Sequence, residues 1–316
     1  MARAFVFPGQ GSQAVGMGQA LAEAFQAARH VFQEVDDALG QKLSRLMFEG
    51  PEAELTLTEN AQPALMAVSM AVLRTLESEG GWRLADKAAY VAGHSLGEYS
   101  ALAAAGSLNL PDAARLLKLR GQAMQKAVPV GVGAMAALLG LDLEQAQAIA
   151  ADAAAATGKV CAAANDNAPG QVVVSGHKEA VEKAVALAAE KGAKRSVLLP
   201  VSAPFHCPLM QPAADAMAAA LETAEIAMPA VPLIANITAK PVSDPATIRR
   251  QLVEQVTGTV RWRESVMAMK AAGVHQVVEL GAGKVLAGLI KRIDKEIDSL
   301  SVGQPADIES ALKVLG

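Results

Sequence analysis

The chain has 316 residues, 52% of them hydrophobic, so it can bury a substantial core and form more than one compact unit. Its net charge of −4 provides no basic surface for nucleic acid, which excludes that class of partner. Polar or charged residues interrupt every apolar stretch before it reaches membrane-spanning length, so we expect no membrane segment.

The first part of the chain predicts strands that alternate with helices. The predicted elements are a strand at residues 4–7, helices to about residue 79, a strand at 88–92, and helices at 96–105 and 111–127. Such alternation is typical of a parallel sheet flanked by helices. We therefore expect an α/β fold in which this part forms one side of a parallel-sheet core.

The composition changes at residue 129. From there the chain predicts strand, helix, strand, strand, helix and strand, at residues 134–140, 142–156, 159–164, 171–174, 178–191 and 195–201. This βαββαβ order is that of a ferredoxin-like unit. Two later strands, at 233–236 and 276–280, could complete the first sheet. The sequence thus predicts a core of residues 1–128 and 202–316 with an inserted small domain at 129–201.

Cysteine usage and the start of the chain indicate a compartment. Cys161 and Cys207 have neither the number nor the spacing of a disulfide framework or a metal site, so we expect no metal and a reducing environment. The apolar residues 4–7 leave no room before them for a signal peptide. We expect a cytoplasmic protein. Nothing in the sequence demands an oligomer, so we expect a monomer.

A serine between two glycines follows the predicted strand at 88–92. The segment Gly93-His94-Ser95-Leu96-Gly97 has the pattern of a nucleophile elbow, a sharp turn that pushes the serine hydroxyl over the end of its strand. Peptide N–H groups at the start of the next helix then face any negative charge that develops. The pattern predicts an enzyme that handles acyl groups through an ester on Ser95.

A serine hydroxyl needs a base, and the chain has five histidines. His206 lies in a proline-stiffened loop where the small domain returns to the core, and a cleft is expected there, so His206 is the candidate base. His94 is adjacent to Ser95, and its side chain should point away. No acid between Ser95 and His206 stands out as a third member. We expect a dyad whose histidine donates to a backbone carbonyl that the sequence does not identify.

Arg120 is the second informative residue. It lies on the apolar stripe of the predicted helix at 111–127, and its neighbours on that stripe are Leu116, Leu117, Met124 and Ala127. A guanidinium there is costly unless it is paired. It either reaches the surface, bridges a core acid, or clamps a substrate carboxylate with two hydrogen bonds. The last alternative indicates a dicarboxylic half-thioester or half-ester as substrate.

Two glycine-rich turns have alternative interpretations. The turn at 9–14 matches a loose dinucleotide-binding fingerprint, but helix-like and loop-like residues follow where that fold needs a second strand. The other interpretation is that a backbone N–H near Gln10 completes an oxyanion hole with that of Leu96. The turn at 281–285 lacks the glycine spacing and the Ser/Thr of a phosphate loop, so it predicts a tight strand-to-helix turn.

Several segments occur in the order found in a known family. They are Phe7-Pro8-Gly9-Gln10-Gly11-Ser12-Gln13, Gly93-His94-Ser95-Leu96-Gly97-Glu98-Tyr99, Arg120-Gly121 with Met124-Gln125, Asn167-Ala168-Pro169-Gly170-Gln171, Val201-Ser202-Ala203-Pro204-Phe205-His206 and Glu279-Leu280-Gly281-Ala282-Gly283-Lys284-Val285-Leu286. Through them the chain resembles, over essentially its whole length, the malonyl-CoA:acyl carrier protein transacylases of dissociated fatty acid synthesis. The resemblance implies an α/β-hydrolase-like parallel-sheet core with a ferredoxin-like insert, as predicted above.

The resemblance implies a role for each of five residues. Ser95 would be the nucleophile, and His206 the general base and then the general acid. Arg120 would hold the malonyl carboxylate. The backbone N–H groups of Gln10 and Leu96 would form the oxyanion hole.

The resemblance also implies four residues around this centre. The backbone carbonyl of Gln255 would orient the histidine, while Asn165 and Asn167 would line the thioester cleft. Phe205 resembles the bulky residue of malonyl-selective members, whose ring crowds a 2-methyl branch. Because one methyl group is worth only about 1–3 kcal/mol, that selectivity would be finite.

The implied reaction is ping-pong transfer of malonyl from malonyl-CoA to the phosphopantetheine thiol of acyl carrier protein. No cofactor is implied, because the CoA thioester is itself a substrate.

The chain departs from the family pattern at two places. Ala282 stands where proline is usual. No proline precedes Val260-Arg261-Trp262, which affects the placement of the Gln255 carbonyl. A serine hydrolase and a non-catalytic carrier-docking module remain the rival functions.

Overall fold

The computed structural model describes residues 2–316, which form a mixed α/β fold. The strands are β1 (Ala2–Phe7), β2 (Tyr90–Gly93), β3 (Gly133–Leu139), β4 (Cys161–Ala168), β5 (Gln171–His177), β6 (Arg195–Leu198), β7 (Leu233–Ile234), β8 (Pro241–Val242), β9 (Val274–Leu280) and β10 (Asp298–Val302). The α-helices are α1 (Gln19–Ala24), α2 (Gln26–Leu39), α3 (Leu43–Glu49), α4 (Glu52–Thr56), α5 (Thr58–Gly80), α6 (Leu84–Lys87), α7 (Gly97–Ala104), α8 (Leu110–Ala127), α9 (Leu143–Thr157), α10 (Lys178–Glu190), α11 (Gln211–Thr223), α12 (Pro245–Thr257), α13 (Trp262–Ala271), α14 (Val285–Ile293) and α15 (Pro305–Leu315). Within residues 2–316, no helix combines the length and the apolar character that crossing a bilayer requires.

The larger sheet has six strands in the order β10-β9-β1-β2-β7-β8. All of its pairings are parallel except that of the edge strand β8 with β7. Phe7, at the end of β1, pairs with Gly93, at the end of β2. Because parallel strands end at the same edge of a sheet, the loops that follow β1 and β2 meet there.

A second sheet has four antiparallel strands in the order β4-β5-β3-β6. Apolar residues of α9 and α10 share one buried cluster with those of its strands. The element order along the chain agrees with the predicted βαββαβ order. The prediction ended β4 too early, at residue 164, because the polar residues that follow look like a loop. They stay in the strand because Asn165 and Asp166 pair with Val173 and Val172 of β5.

The edge strand β4 is also hydrogen-bonded to the core. Asp166 N donates to Val260 O and Val260 N donates to Ala164 O, each at 2.9 Å. The buried Asp166 carboxylate accepts from Arg263 Nε at 2.9 Å, and Arg263 lies on α13 of the core. The second sheet is therefore joined to the core here as well as through its two chain connections.

The structure decides between the interpretations of both glycine-rich turns. Between β1 and β2 the chain forms only helices and connections, so the second strand of a dinucleotide-binding unit is missing from residues 8–89. At the other turn, Glu279 accepts from the backbone N–H groups of Leu286 (3.0 Å) and Ala287 (2.8 Å). A buried carboxylate thus occupies the start of α14, where a phosphate loop would hold its anion.

Helices α5 and α8 approach closely at Gly121. A Cβ on Gly121 would lie 2.4 Å from Glu59 Cα and 2.6 Å from Thr58 O, so the two backbones would have to separate. We expect Gly121→Ala to lower the free energy of unfolding by about 1–3 kcal/mol. In the matched variant Gly288→Ala, on α14, no atom lies within 4 Å of the new Cβ, and stability should rise by up to about 1 kcal/mol. Urea denaturation measures both, and equal stabilities would contradict the expectation.

Candidate active site

Ser95 lies in the turn between β2 and α7, with a φ of 55°. Close approaches explain both flanking glycines, since a Cβ on Gly93 would lie 1.9 Å from Gly97 C, and one on Gly97 would lie 2.2 Å from Phe7 O. The second contact also presses the loop after β1 against the elbow. The structure therefore has the sharp strand-to-helix turn that the sequence predicts.

His206 lies beside Ser95 as predicted. Ser95 Oγ is 2.7 Å from His206 Nε2, and His206 Nδ1 is 2.9 Å from the backbone oxygen of Gln255. A carbonyl only accepts, so Nδ1 carries the hydrogen and the Nε2 lone pair faces Ser95. Burial, reinforced by the positive charge of Arg120, lowers the pKa of His206 to about 3. The imidazole is thus neutral at neutral pH, with its lone pair directed at Ser95 Oγ.

Arg120 is almost completely buried and points at the same centre. Its Nη1 donates to Gln62 Oε1 and its Nη2 to Gln255 Oε1, both at 2.8 Å, and Nη2 also lies 3.2 Å from Ser95 Oγ. Within residues 2–316, every acceptor of this guanidinium is uncharged. Arg120 neither reaches the surface nor pairs directly with a core acid, so two of the three interpretations of its position do not hold.

A chain of side-chain hydrogen bonds links Arg120 to the loop after β1. Gln62 Nε2 donates to Thr58 Oγ1, and Thr58 Oγ1 donates to Gln10 Oε1, each at 2.9 Å. Within residues 2–316, no hydrogen bond is formed by the backbone N–H of Gln10 or of Leu96. Both residues line the cleft at Ser95, so two free donors are available for an oxyanion.

The cleft has a volume of about 650 Å³. The predicted site residues in its wall are Gln10, Ser95, Leu96, Arg120, Asn165, Phe205 and His206. Two predicted residues lie elsewhere. Asn167 is outside the wall formed by residues 2–316, and its Oδ1 is 2.8 Å from His94 Nε2. Gln255 is fully buried beneath the dyad.

Sequence analysis missed three residues that support this centre. Asn236 accepts from Ser95 N at 2.7 Å and donates to Gly93 O at 2.6 Å, which fixes the elbow from the loop after β7. Gln62 holds Arg120, and the buried Glu98 accepts from Gln255 Nε2. Only Glu98 has a local signal, because it is the one charged residue of a helix, Gly97–Ala104, whose residues are mostly buried.

A serine–histidine dyad with two free backbone donors and an arginine without a charged partner within residues 2–316 is an arrangement suited to an enzyme that handles acyl groups. Residues 4–307 match the family described as acyl transferase domain. A malonyl CoA-acyl carrier protein transacylase of Bacillus subtilis (strain 168) is 46% identical over 312 residues, which cover 99% of this chain and 96% of that protein. The chain therefore belongs to the acyl transferase family, within the malonyl CoA-acyl carrier protein transacylases, and the family identified from the sequence motifs is confirmed.

Solved structures agree with this membership. The acyl-carrier-protein-S-malonyltransferase of Bartonella henselae has a TM-score of 0.97 and 58% identity, covering 100% of both chains. A malonyl-transacylase solved in complex with a type II PKS acyl-carrier protein has a TM-score of 0.95 and 44% identity, covering 99% of this chain and 100% of that one. The parallel-sheet core and the separate antiparallel sheet thus belong to the fold of these enzymes.

Proposed function

We propose that the protein transfers the malonyl group of malonyl-CoA to the phosphopantetheine thiol of an acyl carrier protein, through a malonyl ester on Ser95. The observation that carries this proposal is the 3.2 Å between Arg120 Nη2 and Ser95 Oγ, at a guanidinium without a charged acceptor. In a malonyl thioester only one methylene separates the reacting carbonyl from the carboxylate. An arginine that reaches the nucleophile therefore also reaches that carboxylate.

In the first half-reaction, Ser95 Oγ attacks the thioester carbonyl and its proton passes to His206 Nε2. The oxyanion accepts hydrogen bonds from the N–H groups of Gln10 and Leu96. When the tetrahedral intermediate collapses, the C–S bond breaks and the CoA sulfur takes the proton from Nε2. The malonyl carboxylate on Arg120 offsets the positive charge that lowers the pKa of His206, so substrate binding favours this proton transfer.

In the second half-reaction, the carrier thiol gives its proton to His206 Nε2 and its sulfur attacks the ester. Collapse breaks the bond between the acyl carbon and Ser95 Oγ, and Nε2 returns the proton to Oγ. We propose that no cofactor is needed, because the dyad supplies both proton transfers. The malonyl group held on Arg120 also keeps the cleft ordered, which favours the carrier thiol over water.

Intact-mass spectrometry tests this function. The enzyme incubated with malonyl-CoA should gain one malonyl group, and added holo carrier protein should then take that group from it. The rival function, a serine hydrolase, would release free malonate and leave the carrier unmodified. The other rival, a carrier-docking module, would leave both proteins unmodified. Malonyl-CoA and methylmalonyl-CoA compared side by side would measure the selectivity against a 2-methyl branch, which we propose Phe205 confers.

The same proposal extends to the architecture. We propose that residues 1–128 and 202–316, of which residue 1 lies outside the described part, form an α/β-hydrolase-like core. Residues 129–201 then form the ferredoxin-like insert, which the strand order β4-β5-β3-β6 supports. A monomer suffices, because one chain supplies every group of the site. The two buried free cysteines suit the cytoplasm, where we place the reaction.

A further inference from the structure

We propose that Glu98 is a positioning residue for malonyl recognition. Through the amide of Gln255 it holds Arg120 in place, and it balances the charge of Arg120 without using the N–H donors that malonyl needs. Glu98 lies in the first turn of α7 and is only 1% exposed. It touches neither Ser95 Oγ nor the wall of the cleft formed by residues 2–316. This inference deepens the proposed function and rests on it.

The argument begins with the orientation of the Gln255 amide. Its Nε2 donates to a Glu98 carboxylate oxygen and, at 3.0 Å, to Ser95 O. A primary amide has one oxygen and one NH₂ group, so fixing the NH₂ group on these acceptors turns Oε1 toward Arg120, at 2.8 Å. The second carboxylate oxygen of Glu98 accepts from Asn236 N at 3.2 Å. Glu98 and Ser95 O together thereby fix which end of the amide Arg120 meets, and Glu98 is the charged one of these two acceptors.

The charges of this arrangement are as important as its geometry. A buried guanidinium without a nearby negative charge is costly, whereas a direct pair with Glu98 would use the donors that malonyl needs. One amide separates the two charges, so they compensate each other while Arg120 keeps free hydrogen-bonding capacity. A guanidinium has five N–H groups, and Gln62, Gln255 and Ser95 Oγ take three of those of Arg120. The arginine is thus held in place and still open to a carboxylate.

Protonation of Glu98 should weaken this arrangement. Burial raises the pKa of Glu98 to about 7, against the opposing effects of Gln255, Asn236 and Arg120. A protonated Glu98 presents an O–H donor where the NH₂ group of Gln255 needs an acceptor, so the amide loses one of the acceptors that orient it. Burial moves the pKa values of the neighbouring groups away from 7, since it lowers those of His206 and His94 and raises that of Tyr99. Burial also lowers the pKa of Arg120, but an arginine remains a cation at neutral pH.

The test compares formation of the Ser95 ester from malonyl-CoA with that from acetyl-CoA, which has no carboxylate. In Glu98→Gln, we expect kcat/KM for malonyl-CoA to fall by about 10–100-fold, mainly through KM, and that for acetyl-CoA to change by less than about threefold. In the wild type, the malonyl/acetyl ratio should fall as the pH drops through about 7, where Glu98 becomes protonated. That step should be absent from Glu98→Gln.

Glu279→Gln is the matched control, because it also neutralises a buried carboxylate but acts at the start of α14. It should keep the wild-type ratio and its pH step. A Glu98→Gln enzyme that keeps both would overturn the inference. If that variant does not fold, the wild type decides alone, because a ratio that is constant through pH 7 has the same meaning. A wild type that forms no malonyl ester would instead contradict the proposed function.

Discussion

Replacing Ser95 with alanine will lower the rate of malonyl transfer by about 10⁴–10⁶-fold, the loss expected when the nucleophile of a dyad is removed. Ser95 Oγ is the atom that His206 Nε2 contacts at 2.7 Å, and within residues 2–316 no other hydroxyl contacts that nitrogen. Stopped acylation reactions followed by intact mass should show no malonyl group on the variant enzyme. The carrier protein should remain unmodified in the same reactions.

Ser100→Ala is the matched control for this experiment. Ser100 lies on α7, the helix that follows Ser95, and its buried hydroxyl has no partner within residues 2–316, so its loss should leave both stability and transfer close to the wild type. The ester mechanism would be refuted by a correctly folded Ser95→Ala enzyme that still carries out full transfer. Loss of transfer in both variants would indicate general damage to the helix.

Replacing Arg120 with methionine will reduce kcat/KM for malonyl-CoA by about 10²–10³-fold, since truncating one partner of a buried charged pair costs about 2–5 kcal/mol. Methionine keeps most of the side-chain volume and removes the donors that face Ser95 and Gln255. Acetyl-CoA has no carboxylate to lose, so its kcat/KM should fall far less. The ratio of kcat/KM for malonyl-CoA to that for acetyl-CoA, measured by competition between the two thioesters, should therefore fall steeply.

The control variant for Arg120 is Arg115→Met on the same helix. Arg115 is exposed and pairs with Asp112 at 3.0 Å, a surface contact worth at most about 1 kcal/mol. It should retain the wild-type rate and selectivity. An Arg120→Met enzyme that accepts malonyl-CoA as fast as the wild type, with no shift toward acetyl-CoA, would show that the carboxylate binds elsewhere.

Much of the fold could be predicted from the sequence because its strands and helices carry strong apolar patterns. The βαββαβ order and the turn at Ser95 are examples. The strand β10, at a sheet edge, was missed because only two of the five residues of Asp298–Val302 are apolar. The strand β8 has two residues, too few for any pattern. Both are defined by their partners, which a local pattern does not contain.

The site divides in the same way. Ser95 and Arg120 could be found from local sequence. Ser95 lies in a glycine-flanked motif, and Arg120 is a cation on the apolar stripe of a helix. His206 followed from the expected position of a cleft. The Gln255 carbonyl came only from the family resemblance, since any residue has a carbonyl. Asn236 lies 141 residues from Ser95 along the chain, and no spacing or periodicity connects them.

The attachment of β4 to the core bears on how CoA and the phosphopantetheine arm of the carrier protein replace each other in the cleft. Swinging the second sheet away from the core would break the backbone bonds of Val260 and expose the paired carboxylate of Asp166. Losing such buried bonds in every turnover is costly. We therefore expect the cleft to keep the same width throughout the reaction. CoA and the carrier arm would enter and leave it one after the other. Turnover would then need no opening of the cleft. An excess of either malonyl-CoA or carrier protein would directly inhibit the reaction of the other.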